Sequence, residues 1–172
     1  MKNKILSVLT ILACALCALQ CGDGDVEQNA INGTWKIIEM DSGEGLEVSP
    51  FNDTTSSGVD YTYNVYISFS NILRRQYNEI LTSTDTSSVP LGIFYLTDYD
   101  DNISKVDSEF IYCTDGSYMR YILDSNTLRL EKPSDNSKYM YMIKVDDSIV
   151  AGAIKANSPK KSISRAVFQD HQ

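Results

Sequence analysis

The feature that most constrains this chain is a ten-residue alternation, Tyr61-Thr62-Tyr63-Asn64-Val65-Tyr66-Ile67-Ser68-Phe69-Ser70. Its odd positions are all apolar or aromatic and its even positions are mostly polar. A period of two places one residue set on a buried face and the other on a wet one, so the run predicts a long strand with one face in a core. Lys138–Val145 repeats the pattern, with Tyr139, Tyr141, Ile143 and Val145 on one side and Met140, Met142 and Lys144 on the other. Further strands are expected at Asn32–Met40, Leu91–Thr97, Ser108–Cys113, Ser117–Leu123, Thr127–Glu131, Ile149–Ala156 and Ser162–Phe168. Asn71–Leu81 fits a helical face through Leu73, Tyr77 and Ile80, and also a strand. Its strand neighbours favour the strand. Asp115-Gly116, Asp124-Ser125-Asn126, Pro133-Ser134-Asp135-Asn136, Asp146-Asp147 and Asn157-Ser158-Pro159 punctuate the series. Short strands joined by turn residues about every ten positions predict an all-β fold, an antiparallel up-and-down barrel of about eight strands.

The first 21 residues are of another kind. Lys2 and Lys4 precede an uncharged, mostly apolar run from Ile5 to Leu19. That run is short for a membrane span, which needs about 20 residues, and it suits the apolar region of a secretory signal. A cysteine closing such a region resembles a bacterial lipoprotein signal. The resemblance implies acylation of Cys21, with Cys14, which has the small preceding residue, as the alternative. Residues 1–21 then form the signal and lipidation site, residues 22–30 a polar tether, residues 31–168 the barrel and residues 169–172 a tail. Loss of Lys2 and Lys4 with the signal takes the formal charge from −8 to −10. The expected location is the bacterial cell envelope, with the protein exported and lipid-anchored to the outer membrane or cell surface.

Asn32-Gly33-Thr34-Trp35 opens the first strand and contains the only tryptophan. A G-x-W at that place resembles the lipocalin signature, in which the Trp plugs the closed end of an eight-stranded barrel beneath a basic residue. The resemblance implies a barrel plug made by Gly33, Trp35 and Arg165. It also implies that the long segment Asp41–Asp60 is a lid loop at the open end. On this reading the fold is lipocalin-like.

Several chemistries lack their residues. The single histidine is His171, next to the last residue, so no Ser-His-Asp or Cys-His arrangement has a base within the strand region. No P-loop, G-x-S-x-G or H-E-x-x-H sequence occurs, and zinc would lack nitrogen and sulfur ligands. Asp98-Tyr99-Asp100-Asp101-Asn102 begins like a calcium loop, but Ile103 stands where the sharp turn needs glycine, so a solvated acidic loop is expected. The chain is read as having no enzymatic activity, no metal and no cofactor. A net charge of −8 argues against nucleic acid as a partner. Lys155, Lys160, Lys161 and Arg165 make the C-terminal region basic, read as a solvated end of the barrel.

All 11 tyrosines lie between Tyr61 and Tyr141. The faces Tyr61, Tyr63, Val65, Ile67, Phe69 and Tyr139, Tyr141, Ile143 are expected to line a cavity for a small apolar or amphipathic ligand. The competing expectation is a barrel filled by its own side chains. The partner would then be another protein, reached through outward residues such as Tyr66, Met140 and Met142. In both cases the membrane is met through the lipid anchor.

Overall fold

The computed structural model describes residues 30–95 and 97–155. Cys14, Cys21, the tether before Ala30, the strand expected at Ser162–Phe168, Arg165, Lys160, Lys161 and His171 lie outside the described residues. The described chain is β1 (Gly33–Asp41), β2 (Leu46–Val48), β3 (Phe51–Thr54), β4 (Asp60–Phe69), β5 (Leu73–Ser83), β6 (Gly92–Tyr95), β7 (Asp101–Val106), β8 (Phe110–Cys113), β9 (Tyr118–Asp124), β10 (Thr127–Lys132), β11 (Asp135–Val145) and β12 (Ile154–Lys155). Single 3-10 turns occupy Thr97–Tyr99 and Asp147–Val150.

Eight strands close the wall. β1, β4, β5, β7, β8, β9, β10 and β11 each pair antiparallel with the next, and β11 returns to β1. The expected closed antiparallel meander is therefore present. Most of Asn71–Leu81, from Leu73 on, falls in β5, in agreement with the strand reading. The Asp115-Gly116 turn joins β8 to β9, with Gly116 at φ +87°, a conformation open to glycine at little cost.

The wall departs from a plain meander in two places. β1 and β4 pair only between Gly33–Lys36 and Tyr66–Phe69, then diverge. β2 adds to β1 and β3 adds to β4 in the space between them, with Ser49 N–H donating to Ile38 O at 3.0 Å. Asp41–Asp60, expected as a lid loop, is thus partly wall. Diverging strands expose unpaired backbone groups, and Leu46-Glu47-Val48 and Phe51 supply strand residues to cover them. On the other side, β5 pairs with β7 at Leu73 and Arg74 and with β6 from Tyr77 to Ile80. β7 was not expected from the sequence. β12 then adds to β6 in parallel, and is shorter than the strand expected at Ile149–Ala156.

Bulges set the phase of the inward residues. In β1, Trp35 and Ile37 face inward, and a bulge between Ile37 and Glu39 brings Met40 inward next. In β5, Leu81 is the extra residue of a bulge and is 38% exposed. Below it, Arg74, Gln76, Asn78 and Ile80 oppose Phe69, Ile67, Val65 and Tyr63 across the lumen face of the β4–β5 pair.

Trp35 forms the floor. It is fully buried, and its Nε1–H donates to Ile31 O at 2.8 Å. Lys144 Nζ stands 5.2 Å from the indole centroid, on the strand partner of Trp35. Gly33 has φ +113°, and a Cβ there would meet Lys144 Cε at 3.2 Å, so both backbone and space favour glycine at this point of G-x-W. The cation over the indole in the described chain is Lys144.

Replacing Trp35 by Ala empties this floor and is expected to cost about 3–5 kcal/mol in urea unfolding followed by far-UV circular dichroism. Lys144→Met, which keeps the stem and loses the cation, is expected to cost about 0.5–1 kcal/mol.

Candidate functional site

Three regions bear on function: the lumen, a polar groove at the open end, and the outer face of β8–β11. The lumen is built from alternate residues of every wall strand. Trp35, Ile37 and Met40 come from β1, and Tyr63, Val65, Ile67 and Phe69 from β4. Ile111 and Cys113 come from β8, Met119 and Tyr121 from β9, Leu128 and Leu130 from β10, and Met140 and Met142 from β11. All belong to one buried apolar cluster that begins at Ile31 under the floor and continues to Val59 and Val89 in the loops at the open end. Burial pushes the Cys113 thiol up, away from the reactive thiolate.

One stripe of the lumen is polar. Arg74 and Gln76 are each 3% exposed. Arg74 Nη2 pairs with Asp101 Oδ2 at 3.0 Å, and Nη1 lies 3.9 Å from Met119 Sδ. Gln76 Nε2 donates to Asn78 Oδ1 at 2.9 Å. The adjacent Arg75 points outward and grips Asp100 through Nε and Nη2, at 2.9 and 2.5 Å. The Asp100-Asp101 pair thus engages Arg74-Arg75 on both faces of the wall and fixes the start of β7 against β5. A buried guanidinium requires such a partner, since an unpaired buried charge costs several kcal/mol. The signal in the sequence was the matching of two adjacent cations with two adjacent acids.

The expected ligand-lining residues divide between two faces. Tyr63, Val65, Ile67 and Phe69 are inward and buried, and Tyr61 packs on the same cluster. Tyr139, Tyr141 and Ile143 stand on the outer face, and Met140 and Met142 are fully buried. The facing expected for β11 is thus reversed. Leu128 and Leu130 sit opposite Met142 and Met140, while Arg129 and Glu131 sit opposite Tyr141 and Tyr139. β10 alternates plainly between apolar and charged, and it fixes the phase of its neighbour. Tyr66, expected to be exposed, is 5% exposed. Its Oη donates to Glu79 Oε2 at 2.7 Å, which also accepts from Asn64 Nδ2 at 2.8 Å.

The groove at the open end has a volume of about 680 Å³ and is lined by residues 52–54, 60–62 and 82–84 of the β3–β4–β5 end. Its surface is hydroxyl and carboxylate. Tyr61 Oη donates to Asp53 at 2.8 Å, Thr54 Oγ1 to Asp60 at 2.7 Å, and the Thr62 and Thr82 hydroxyls lie 2.6 Å apart. Such a lining suits polar ligands and offers little to an apolar chain. Among the described residues no group of three or more His, Cys, Asp or Glu is placed to hold a metal ion. Among them, too, no helix is long and apolar enough to cross a membrane.

The outer face of β8–β11 carries a further group of rings. Phe110, Tyr112 and Tyr118 cluster with centroids 5.7 to 6.1 Å apart. Arg129 stacks on Tyr139 at 4.1 Å, and Tyr139 Oη donates to Glu39. Arg120 and Arg129 share Glu131, at 3.5 and 2.8 Å. Among the described residues, five of the nine exposed large hydrophobics, Leu46, Val48, Tyr118, Ile122 and Ile143, lie on β2, β9 and β11 around this patch.

Comparison of the chain with family models, with curated proteins and with solved structures gives no match.

Burial first, then the bond to Glu79, pushes the Tyr66 hydroxyl up to about 12 from 10.0. The fold therefore favours the neutral phenol. Its contribution is complete below pH 10 and is lost as pH rises through about 12. Unfolding midpoints measured across that window are expected to fall, and to fall less steeply in Tyr66→Phe.

Proposed function

We propose that this chain is a lipid-anchored envelope protein whose lipocalin-like barrel is a filled scaffold, and that it works by binding another protein on its outer face. The observation that carries the reading is the division of the rings. The inward set packs into the apolar cluster that runs from Ile31 to Val59 and Val89. The set on β11 stands outside beside Arg120 and Arg129. A small barrel has interior room for little more than its own side chains. Tyr and Arg on a partly apolar surface are the residues that dominate protein–protein contacts.

The lipocalin-like part of the proposal is supported by the fully buried Trp35 in the first strand, with Lys144 above it. The anchor part rests on the signal-like sequence ending at Cys21. Small-molecule binding in the lumen is the competing reading. It would need the buried side chains of β4 to give way.

Native mass spectrometry of the chain, gently purified and then exposed to fatty acids and haem, decides between them. The expected spectrum contains the chain with its covalent acyl groups and no non-covalent adduct. An adduct that is retained in the folded state and lost on denaturation would contradict the filled scaffold.

A further inference from the structure

One cross-strand row on the outer face reads Val48, Glu39, Tyr141, Arg129, Ile122 across β2, β1, β11, β10 and β9. Cross-strand partners share a face, so these five side chains form a continuous line on the wall. In chemical terms the order is apolar, acid, tyrosine, base, apolar. A half-turn about an axis along β11, lying in the contact plane, exchanges β1 with β10 and β2 with β9. Applied to a second copy, it sets Glu39 against Arg129 and Tyr141 against Tyr141, with Val48 and Ile122 on the flanks that curve away.

We infer that this face pairs with a second copy of the chain through that two-fold arrangement. The inference rests on the outer-face reading above and names its partner. A two-fold interface must be self-complementary, each patch matching its own rotated image. Here the match is one of charge, made twice by Glu39 and Arg129 on either side of Tyr141. Val48 is 59% exposed and Ile122 45% exposed, so apolar surface is available on both flanks. Glu39 accepts its bond from the Tyr139 hydroxyl, a donor that brings no positive charge. Arg120 and Arg129 share the single carboxylate of Glu131, leaving that side of the face net positive. In the adjacent row, Asp41 of one copy would face Glu131 of the other, a carboxylate that is 5% exposed and held between Arg120 and Arg129. The wall is convex, so contact is centred on β11, and the long Glu39 and Arg129 side chains bridge the widening gap on either side.

Two exchanged charges test the pairing. In Arg129→Glu, acid meets acid twice in the chain's own dimer. In Glu39→Arg, base meets base twice. A one-to-one mixture restores both opposite-charge contacts in a heterodimer. Sedimentation equilibrium of the full chain in mild detergent reads the outcome. Self-association is expected for the unaltered chain by about 100 µM. Each variant alone is expected to associate at least about tenfold more weakly, because like charges face each other. The mixture is expected to recover. Far-UV spectra matching the unaltered chain separate this from loss of fold.

Three results overturn the inference: an unaltered chain that stays monomeric, a dimer indifferent to both substitutions, or two monomeric variants that do not recover on mixing. A monomer overturns the self-pairing alone and leaves a different protein as the partner. A lumen adduct in the mass spectrum counts against the filled scaffold itself.

Discussion

The packing of Leu128 and Leu130 against Met142 and Met140 is the constraint on which the rest of the reading depends. A strand gives every second residue to the lumen, so one pair of neighbours fixes the facing of all the others around the wall. Once the two methionines are inside, Tyr139, Tyr141 and Ile143 are outside. They then join Arg120 and Arg129 of the neighbouring strands on a single surface. The same phase carries into β1, where the bulge after Ile37 keeps Trp35, Ile37 and Met40 inward. What the lumen can hold and what the exterior can bind follow from one register.

The closed end shows how a few local features make a floor. Gly33 permits a backbone turn and a close approach that a side chain would obstruct. Trp35 fills the space above Ile31 and satisfies its own N–H on that residue's carbonyl. Lys144 closes over the ring from the paired strand. At the same end, opposite Phe69, the buried Arg74 would be a liability in an apolar lumen without Asp101 beside it. This ion pair and the Arg75–Asp100 pair bind the start of β7 to β5, where the ladder is only two residues long. Electrostatics there takes over where backbone pairing runs out.

Much of the fold was legible in the sequence because its strongest strands have one apolar face. Tyr61–Phe69 is such a strand, and its extent and inward set were read from alternation alone. β11 was harder. Both of its faces are apolar enough, Tyr and Ile on one and Met on the other, so periodicity could locate the strand without orienting it. The phase information lay one strand earlier, in Leu128 and Leu130 alternating with Arg129 and Glu131. β2, β3 and β7 were missed for a different reason. They are short or polar, and they form because neighbouring edges need partners, a tertiary demand that leaves little local trace. The divided set of ligand-lining residues is the direct consequence of the β11 ambiguity.

The single tryptophan makes the central claim, a lumen filled by its own side chains, directly measurable. Trp35 fluorescence reports from the barrel floor, beneath the inward residues of β1, β4 and β11. Titration of the folded chain with an apolar dye chosen to accept energy from tryptophan, together with acrylamide quenching, reads whether anything can enter. The account predicts blue-shifted emission, negligible quenching and no saturable energy transfer. A saturable transfer signal from a dye that approaches Trp35, or ready quenching in the folded state, would contradict it.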